Sequence, residues 1–140
     1  MTDVRIKFSK HGPIRFLGHL DVMRYFQRSV RRAGIDVRYS EGYSPHQIMS
    51  FAQPLSVGAT SDGEYLDLSL NREMDPGELC SCLNEVMHEG IVILACEILP
   101  ERSDKSMTLV AAAEYLLRFR PGHEPLAAEA LKTSMEKYLS

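Results

Sequence analysis

Apolar and polar residues alternate strictly at the start of the chain. Val4, Ile6 and Phe8 are separated by Arg5 and Lys7, a period of two that predicts a strand with one buried face. Gly12-Pro13 turns the chain, Ile14 to Leu17 forms a second short apolar piece, and Gly18-His19-Leu20-Asp21 leads into a helix predicted to run to about Ala33. Gly34 stands where a helix commonly stops. At about 100° per residue, Met23, Phe26, Val30 and Ala33 share a narrow arc, and Arg24, Arg28, Arg31 and Arg32 gather opposite. Ile35 to Ser40 predicts a short second strand, followed by the turn-rich loop Glu41 to His46. Ile48 to Val57 is extended but broken by Pro54, which suits an edge or an irregular crossing. Ser61-Asp62-Gly63 predicts a hairpin turn, and Glu64 to Leu70 alternates Tyr65, Asp67 and Ser69 with Leu66, Leu68 and Leu70. Asp75-Pro76-Gly77-Glu78 opens a second helix with a capping-box-like pair, its stripe is Leu79, Leu83, Val86 and Met87, and Gly90 ends it. Ile91 to Leu99 is nearly continuous in apolar residues, the pattern of a central strand.

The resulting order, βαββαβ, predicts an α+β fold, a ferredoxin-like split βαβ sandwich with two helices on one face of an antiparallel sheet. It occupies residues 1–99. Residues 100–140 read as a polar linker, Pro100 to Lys105, and a strand-helix extension: a strand over Glu114 to Arg120 and a helix over Pro125 to Leu139 carrying Leu126, Ala130, Leu131, Met135 and Tyr138. Tyr115-Leu116-Leu117-Arg118-Phe119 has the pattern of Val4-Arg5-Ile6-Lys7-Phe8. The extension therefore reads as a partial second repeat.

Composition narrows the class. A chain of 140 residues, 44% apolar and 25% charged, is one ordinary globular domain that needs neither disulfides nor metal to build a core. The apolar runs Leu109 to Ala113 and Ile91 to Cys96 fall far below the roughly 20 residues that span a bilayer. The alternating N-terminus does not resemble a secretory signal, so the expected compartment is the cytoplasm, with no membrane partner. Cys80, Cys82 and Cys96 lack the spacing of a metal or iron-sulfur site and read as reduced thiols. The net charge of −3 hides a division: residues 1–46 carry nine Lys or Arg against four Asp or Glu, and the remainder seven against fifteen. Only the first third is placed to meet an anion.

Lys10, Arg15, Arg24, Arg28, Arg31 and Arg32 are the candidate anion-binding residues, because guanidinium groups make bidentate contacts with phosphate oxygens. The plain alternative is a solvated helix face opposite the core. His19, Asp21 and His46 are the candidate catalytic residues, expected to meet at one edge of the domain, with His11 nearby, as an acid-base set. The plain alternative is that His19 caps a turn, Asp21 pairs with an arginine and His46 bonds to backbone. His88 and His123 read as surface residues, and no metal site is expected.

These residues also carry a longer pattern. Phe8-Ser9-Lys10-His11-Gly12-Pro13-Ile14-Arg15-Phe16-Leu17-Gly18-His19-Leu20-Asp21-Val22-Met23-Arg24, then Arg28 and Arg31-Arg32-Ala33-Gly34-Ile35, then Tyr39-Ser40-Glu41-Gly42-Tyr43-Ser44-Pro45-His46, then Ser50-Phe51-Ala52-Gln53-Pro54-Leu55-Ser56-Val57-Gly58 and Gly63-Glu64-Tyr65-Leu66-Asp67, resemble the radical SAM-linked domain family DUF2344. The likeness is close from Val4 to Leu99 and loose beyond. It implies an accessory domain fused to, or encoded beside, a B12-type radical SAM protein, sometimes near genes of RNA processing. This chain lacks the CxxxCxxC motif, so SAM, cobalamin and an iron-sulfur cluster would belong to that partner and none to this chain. The loop residues Gly42, Tyr43, Pro45 and His46 follow the pattern, whereas Gln47 and Ile48 replace a more usual proline and basic residue. The expected function is an accessory binding module presenting RNA or another anionic substrate through its basic helix. The alternatives are a small RNA- or metabolite-modifying enzyme using His19, Asp21 and His46, and a docking domain for the radical SAM partner.

Overall fold

The computed structural model describes residues 2–87, 90–100, 109–117 and 128–139. Among them are a four-stranded antiparallel sheet and three α-helices. The elements are β1 (Thr2–Lys10), a 3-10 turn (Gly12–Phe16), α1 (His19–Arg32), β2 (Met49–Phe51), β3 (Ser61–Leu70), α2 (Pro76–Val86), β4 (Ile91–Ile98) and α3 (Ala128–Leu139). The strand order is β2-β3-β1-β4, and every pair is antiparallel.

The inner rows follow strand parity. Val4, Ile6 and Phe8 of β1, Leu66, Leu68 and Leu70 of β3, and Ile91 and Ile93 of β4 are all buried, since alternate side chains of a strand share a face. They form one cluster with Val22, Phe26 and Val30 of α1 and Leu79 and Leu83 of α2. Phe8, Phe26 and Phe51 pack ring to ring at centroid distances of 4.8, 6.0 and 5.6 Å, separations suited to tilted and edge contacts. Tyr65, Val92 and Leu94 remain exposed on β3 and β4.

Helix ends follow their residue chemistry. The Asp75 carboxylate accepts from the Glu78 N–H at 3.1 Å, satisfying one of the free donors at the start of α2. At the end of α1, the Gly34 N–H donates to the Arg31 carbonyl and the Ile35 N–H to the Val30 carbonyl. That pair is a Schellman closure, and Gly34 supplies the positive φ of 72° it requires.

Several expected elements differ. Ile14 to Leu17 lies in and just past a 3-10 turn, because Pro13 cannot donate and fits a first helical turn. Ile35 to Ser40 forms only isolated bridges, Val37 to Leu70 and Tyr39 to Gln47. The edge strand beside β3 is Met49–Phe51 instead, ending before Pro54. Ser61-Asp62-Gly63 belongs to β3, not to a turn. α2 ends at Val86, before Gly90. β4 is an edge strand, and its register shifts opposite Lys7 and Phe8. The shift leaves Val92 and Leu94 outward while Ile91, Ile93 and Cys96 pair across inward residues of β1, so a continuous apolar run serves two faces. Of the strand expected over Glu114 to Arg120, residues 114–117 are not in a strand and 118–120 lie outside the described residues. The C-terminal helix begins, within the described residues, at Ala128. No helix among the described residues is long and apolar enough to cross a membrane.

Candidate functional site

α1 presents the basic residues as expected. Val22, Phe26, Ser29 and Val30 are buried, and Arg24, Arg28, Arg31 and Arg32 are all exposed. Positions three, four, seven and eight apart align along a helix, so the four guanidinium groups form one stripe. Asp21 lies 3.7 Å from Arg24. Among the described residues, Arg28, Arg31 and Arg32 have no ion-pair partner. Arg31 and Arg32 also sit at the negative end of the helix dipole, which favours cations there.

The loop after Ser40 flanks this stripe. The Ser40 N–H donates to the His46 carbonyl at 2.8 Å and the Ile48 N–H to the Arg38 carbonyl at 2.9 Å, pinching the loop at its base. The His46 N–H donates to the Ser40 hydroxyl, which is also 3.1 Å from His46 Nδ1. Gly42 at φ 102° and Ser44 at φ 53° reverse the chain, leaving Tyr43 fully exposed. The buried Gln47 Nε2 donates to the Gln27 carbonyl at 3.0 Å. Gln27 is three residues after Arg24 and four before Arg31, so this bond ties the loop to the border of the arginine stripe.

Of the proposed acid-base set, His19 and Asp21 share the first turn of α1, and His46 stands apart. Gln27, where the His46 loop is anchored, lies about 12 Å along the helix axis from His19. His19 packs edge-on against Phe51 at 5.1 Å, Asp21 faces Arg24, and His46 engages Ser40. His11 Nε2 is 2.9 Å from the Asp62 carboxylate. Arg15 donates to the Gly12 carbonyl at 3.2 Å and lies over the Phe16 ring at 4.4 Å, away from the stripe's own contacts. His88 and His123 lie outside the described residues.

Lys10 does not join the arginines either. It continues the inner row of β1 after Val4, Ile6 and Phe8, and its side chain is 1% exposed, although it lies shallowly beneath the surface. The inner row of β3 likewise runs Leu70, Leu68, Leu66 and then Glu64. Each central strand therefore ends its apolar row with an ionisable group, of opposite sign in the two. Lys10, Glu64 and His19 line one niche with Phe8, Val22, Phe51, Gln53 and Leu55. Burial pushes the Lys10 ammonium below the usual lysine range, against the pull of Glu64, and burial pushes the Glu64 carboxyl up. Sequence reasoning missed Glu64, although its parity with Leu66 was the available signal.

The cysteines are free and half-buried. Burial, with Cys80 adjacent, pushes the Cys96 thiol up to about 12. Among the described residues no group of three or more His, Cys, Asp or Glu is placed to hold a metal ion.

A family model described as an uncharacterized protein conserved in bacteria, DUF2344, matches residues 4–140. The match includes the C-terminal segment as well as the sheet. No curated protein matches the chain.

Proposed function

Since the chain belongs to the bacterial DUF2344 family, which carries no assigned activity, we propose from the site itself that it is a binding module for RNA, held through the phosphate backbone. One observation carries this reading. α1 exposes four arginines in a single stripe, and three of them have no acidic partner among the described residues. An unneutralised guanidinium row suits a polyanion, whose condensed counterions are released on contact. The pinched loop beside it adds Tyr43, fully exposed, and His46, an aromatic face and a polar ring suited to an unstacked base.

The sheet order β2-β3-β1-β4 with intervening helices supports the finer reading of the fold as ferredoxin-like. The radical SAM protein enters from the family resemblance: in this reading the module presents RNA to that enzyme, fused or separate, and the partner supplies SAM, cobalamin and the iron-sulfur cluster.

The test is fluorescence anisotropy with a labelled single-stranded RNA oligonucleotide of mixed sequence across a salt series. Affinity should fall steeply with salt, and Arg28→Gln and Arg31→Gln should each reduce the slope of log K against log salt by about 0.7. Salt-insensitive binding, or binding unchanged in the double variant, counts against the proposal. Val92 and Leu94, exposed on the edge strand β4, favour a second reading, docking onto the radical SAM partner through the open sheet face. Co-purification that survives high salt and nuclease treatment would support it.

A further inference from the structure

We propose that the hollow on the outer face of the sheet, over Ala95 and between Lys7 and Glu97, binds a free α-amino acid with an aromatic side chain, held by both of its charges. The reading is independent of RNA binding, because α1 packs against the opposite, inner face.

The hollow follows from strand parity. Val4, Ile6 and Phe8 face inward, so Arg5 and Lys7 of β1 face outward. Across from them stand Asp67 and Tyr65 on β3, and Glu97 and Ala95 on β4. Both long side chains of β1 lean towards β3. Arg5 donates to the Asp67 carboxylate through Nε at 2.9 Å and through a second guanidinium nitrogen at 3.2 Å. The Lys7 stem passes over Gly63, where a Cβ would come within 3.0 Å of Lys7 Cε, and its ammonium lies 6.0 Å from the centre of the Tyr65 ring. Glycine inside a strand leaves room for such close approach. The β4 side is thereby left uncovered, with the small Ala95 at its floor. The result is an open hollow of about 170 Å3 bordered by Arg5, Lys7, Tyr65, Cys96 and Glu97, comparable with the roughly 150 Å3 that accommodates one benzene ring.

The charges around the hollow select the ligand. Arg5 is committed to Asp67. Among the described residues neither Lys7 nor Glu97 forms an ion pair, although they are diagonal neighbours on paired strands, a separation of about 7–8 Å. One free cation and one free anion therefore border the same hollow without meeting. A polyanion placed there would confront Glu97 and Asp67, and a simple cation would confront Lys7 and Arg5. A zwitterion satisfies both sides. Its carboxylate accepts from the Lys7 ammonium and its ammonium donates to the Glu97 carboxylate, each a charge-assisted hydrogen bond. Tyr65 is 38% exposed and offers its ring to the rest of the ligand, which favours an aromatic group in edge or offset contact. An α-amino acid carries both charges on one carbon and leaves its side chain free to lie against that ring.

The full chain, isotopically labelled, is titrated with L-phenylalanine near pH 7 and followed by its amide chemical shifts. Hydrocinnamate, which lacks the ammonium, and phenethylamine, which lacks the carboxylate, are the comparators. L-Phenylalanine should saturate with a Kd on the order of 1 mM, and the shifts should centre on Arg5, Lys7, Tyr65, Ala95 and Glu97. It should bind about tenfold or more tightly than either comparator, because losing one charge-assisted bond costs roughly that factor. Lys7→Gln should weaken L-phenylalanine about tenfold and leave phenethylamine unchanged, and Glu97→Gln should weaken it about equally and leave hydrocinnamate unchanged. Comparators that bind as well as the amino acid, shifts confined to other elements, or the absence of a saturable shift each overturn the proposal on the wild-type chain alone. Variants that weaken all three compounds alike overturn the assignment of Lys7 and Glu97.

Discussion

At Gly90 the backbone stands at φ 112°, and a Cβ there would lie 2.5 Å from Ile14 Cγ2 and 2.7 Å from the His11 carbonyl oxygen. Neither neighbour is a flexible side-chain end, and the His11 N–H is already bonded to the Gly90 carbonyl at 2.7 Å. Gly34, at φ 72°, lies close to the left-handed helical region and has open space around it. Gly34→Ala should therefore cost about 1 kcal/mol, the dihedral penalty alone, whereas Gly90→Ala should cost about 2 kcal/mol or more, because overpacking adds to it. Urea denaturation of the two variants separates the terms. Equal losses would mean that the 3-10 turn carrying Ile14 yields freely. Glu64 gives a second prediction at this scale. Its folded pKa lies above the ordinary 4.5 because burial disfavours the carboxylate, so the folded state retains a proton that the unfolded chain releases. Its contribution to stability is complete below pH 4.5 and declines as pH rises through the folded value. Glu64→Gln should remove that decline, read as a smaller difference in urea midpoint between pH 4 and pH 8 than the wild type displays.

Among the elements, those with a local chemical cause were legible and those decided by neighbours were not. β1 was readable from Val4, Ile6 and Phe8, and α2 from Asp75 and Pro76, because alternation and capping act within a few residues. The start of α2 is also testable: Asp75→Ala removes the acceptor for the Glu78 N–H and should cost about 1 kcal/mol in denaturant unfolding. β4 lies at an edge although its apolar run has the pattern of burial on both faces, because the register shift opposite Lys7 and Phe8 turns Val92 and Leu94 outward. Only the partner strand specifies such a bulge. The edge strand falls within the extended, Pro54-limited stretch from Ile48, at Met49–Phe51, and not at Ile35–Ser40, because pairing with β3 chooses between two brief segments. The same division holds for the site. The arginine stripe was visible from helical spacing alone. The separation of His46 from His19 depends on Gln47 reaching Gln27, a contact between positions 20 apart that no local pattern encodes. The charge of Lys10 suggests a surface cation, whereas its place two residues after Phe8 puts it in the buried row.

For the whole molecule, the distribution of burial predicts which part of the chain folds by itself. Among the described residues, every buried member of the core cluster, and every half-buried apolar residue packed against it, lies between Val4 and Ile98. By contrast, Tyr115, Leu116 and Leu117 are 71%, 75% and 81% exposed, and Tyr138 and Leu139 of α3 are also exposed. Side chains left in water contribute little to unfolding free energy. A chain ending after Pro100 should therefore unfold within about 0.5 kcal/mol of the full chain, the range expected of changes away from the core. Its urea m-value should fall only slightly, since m follows the surface exposed on unfolding. The shorter chain should also resist aggregation better, because it sheds a contiguous apolar run, Tyr115 to Leu117, of the kind that drives association. Loss of cooperative unfolding in the shortened chain would mean that residues after Pro100 cover part of the core.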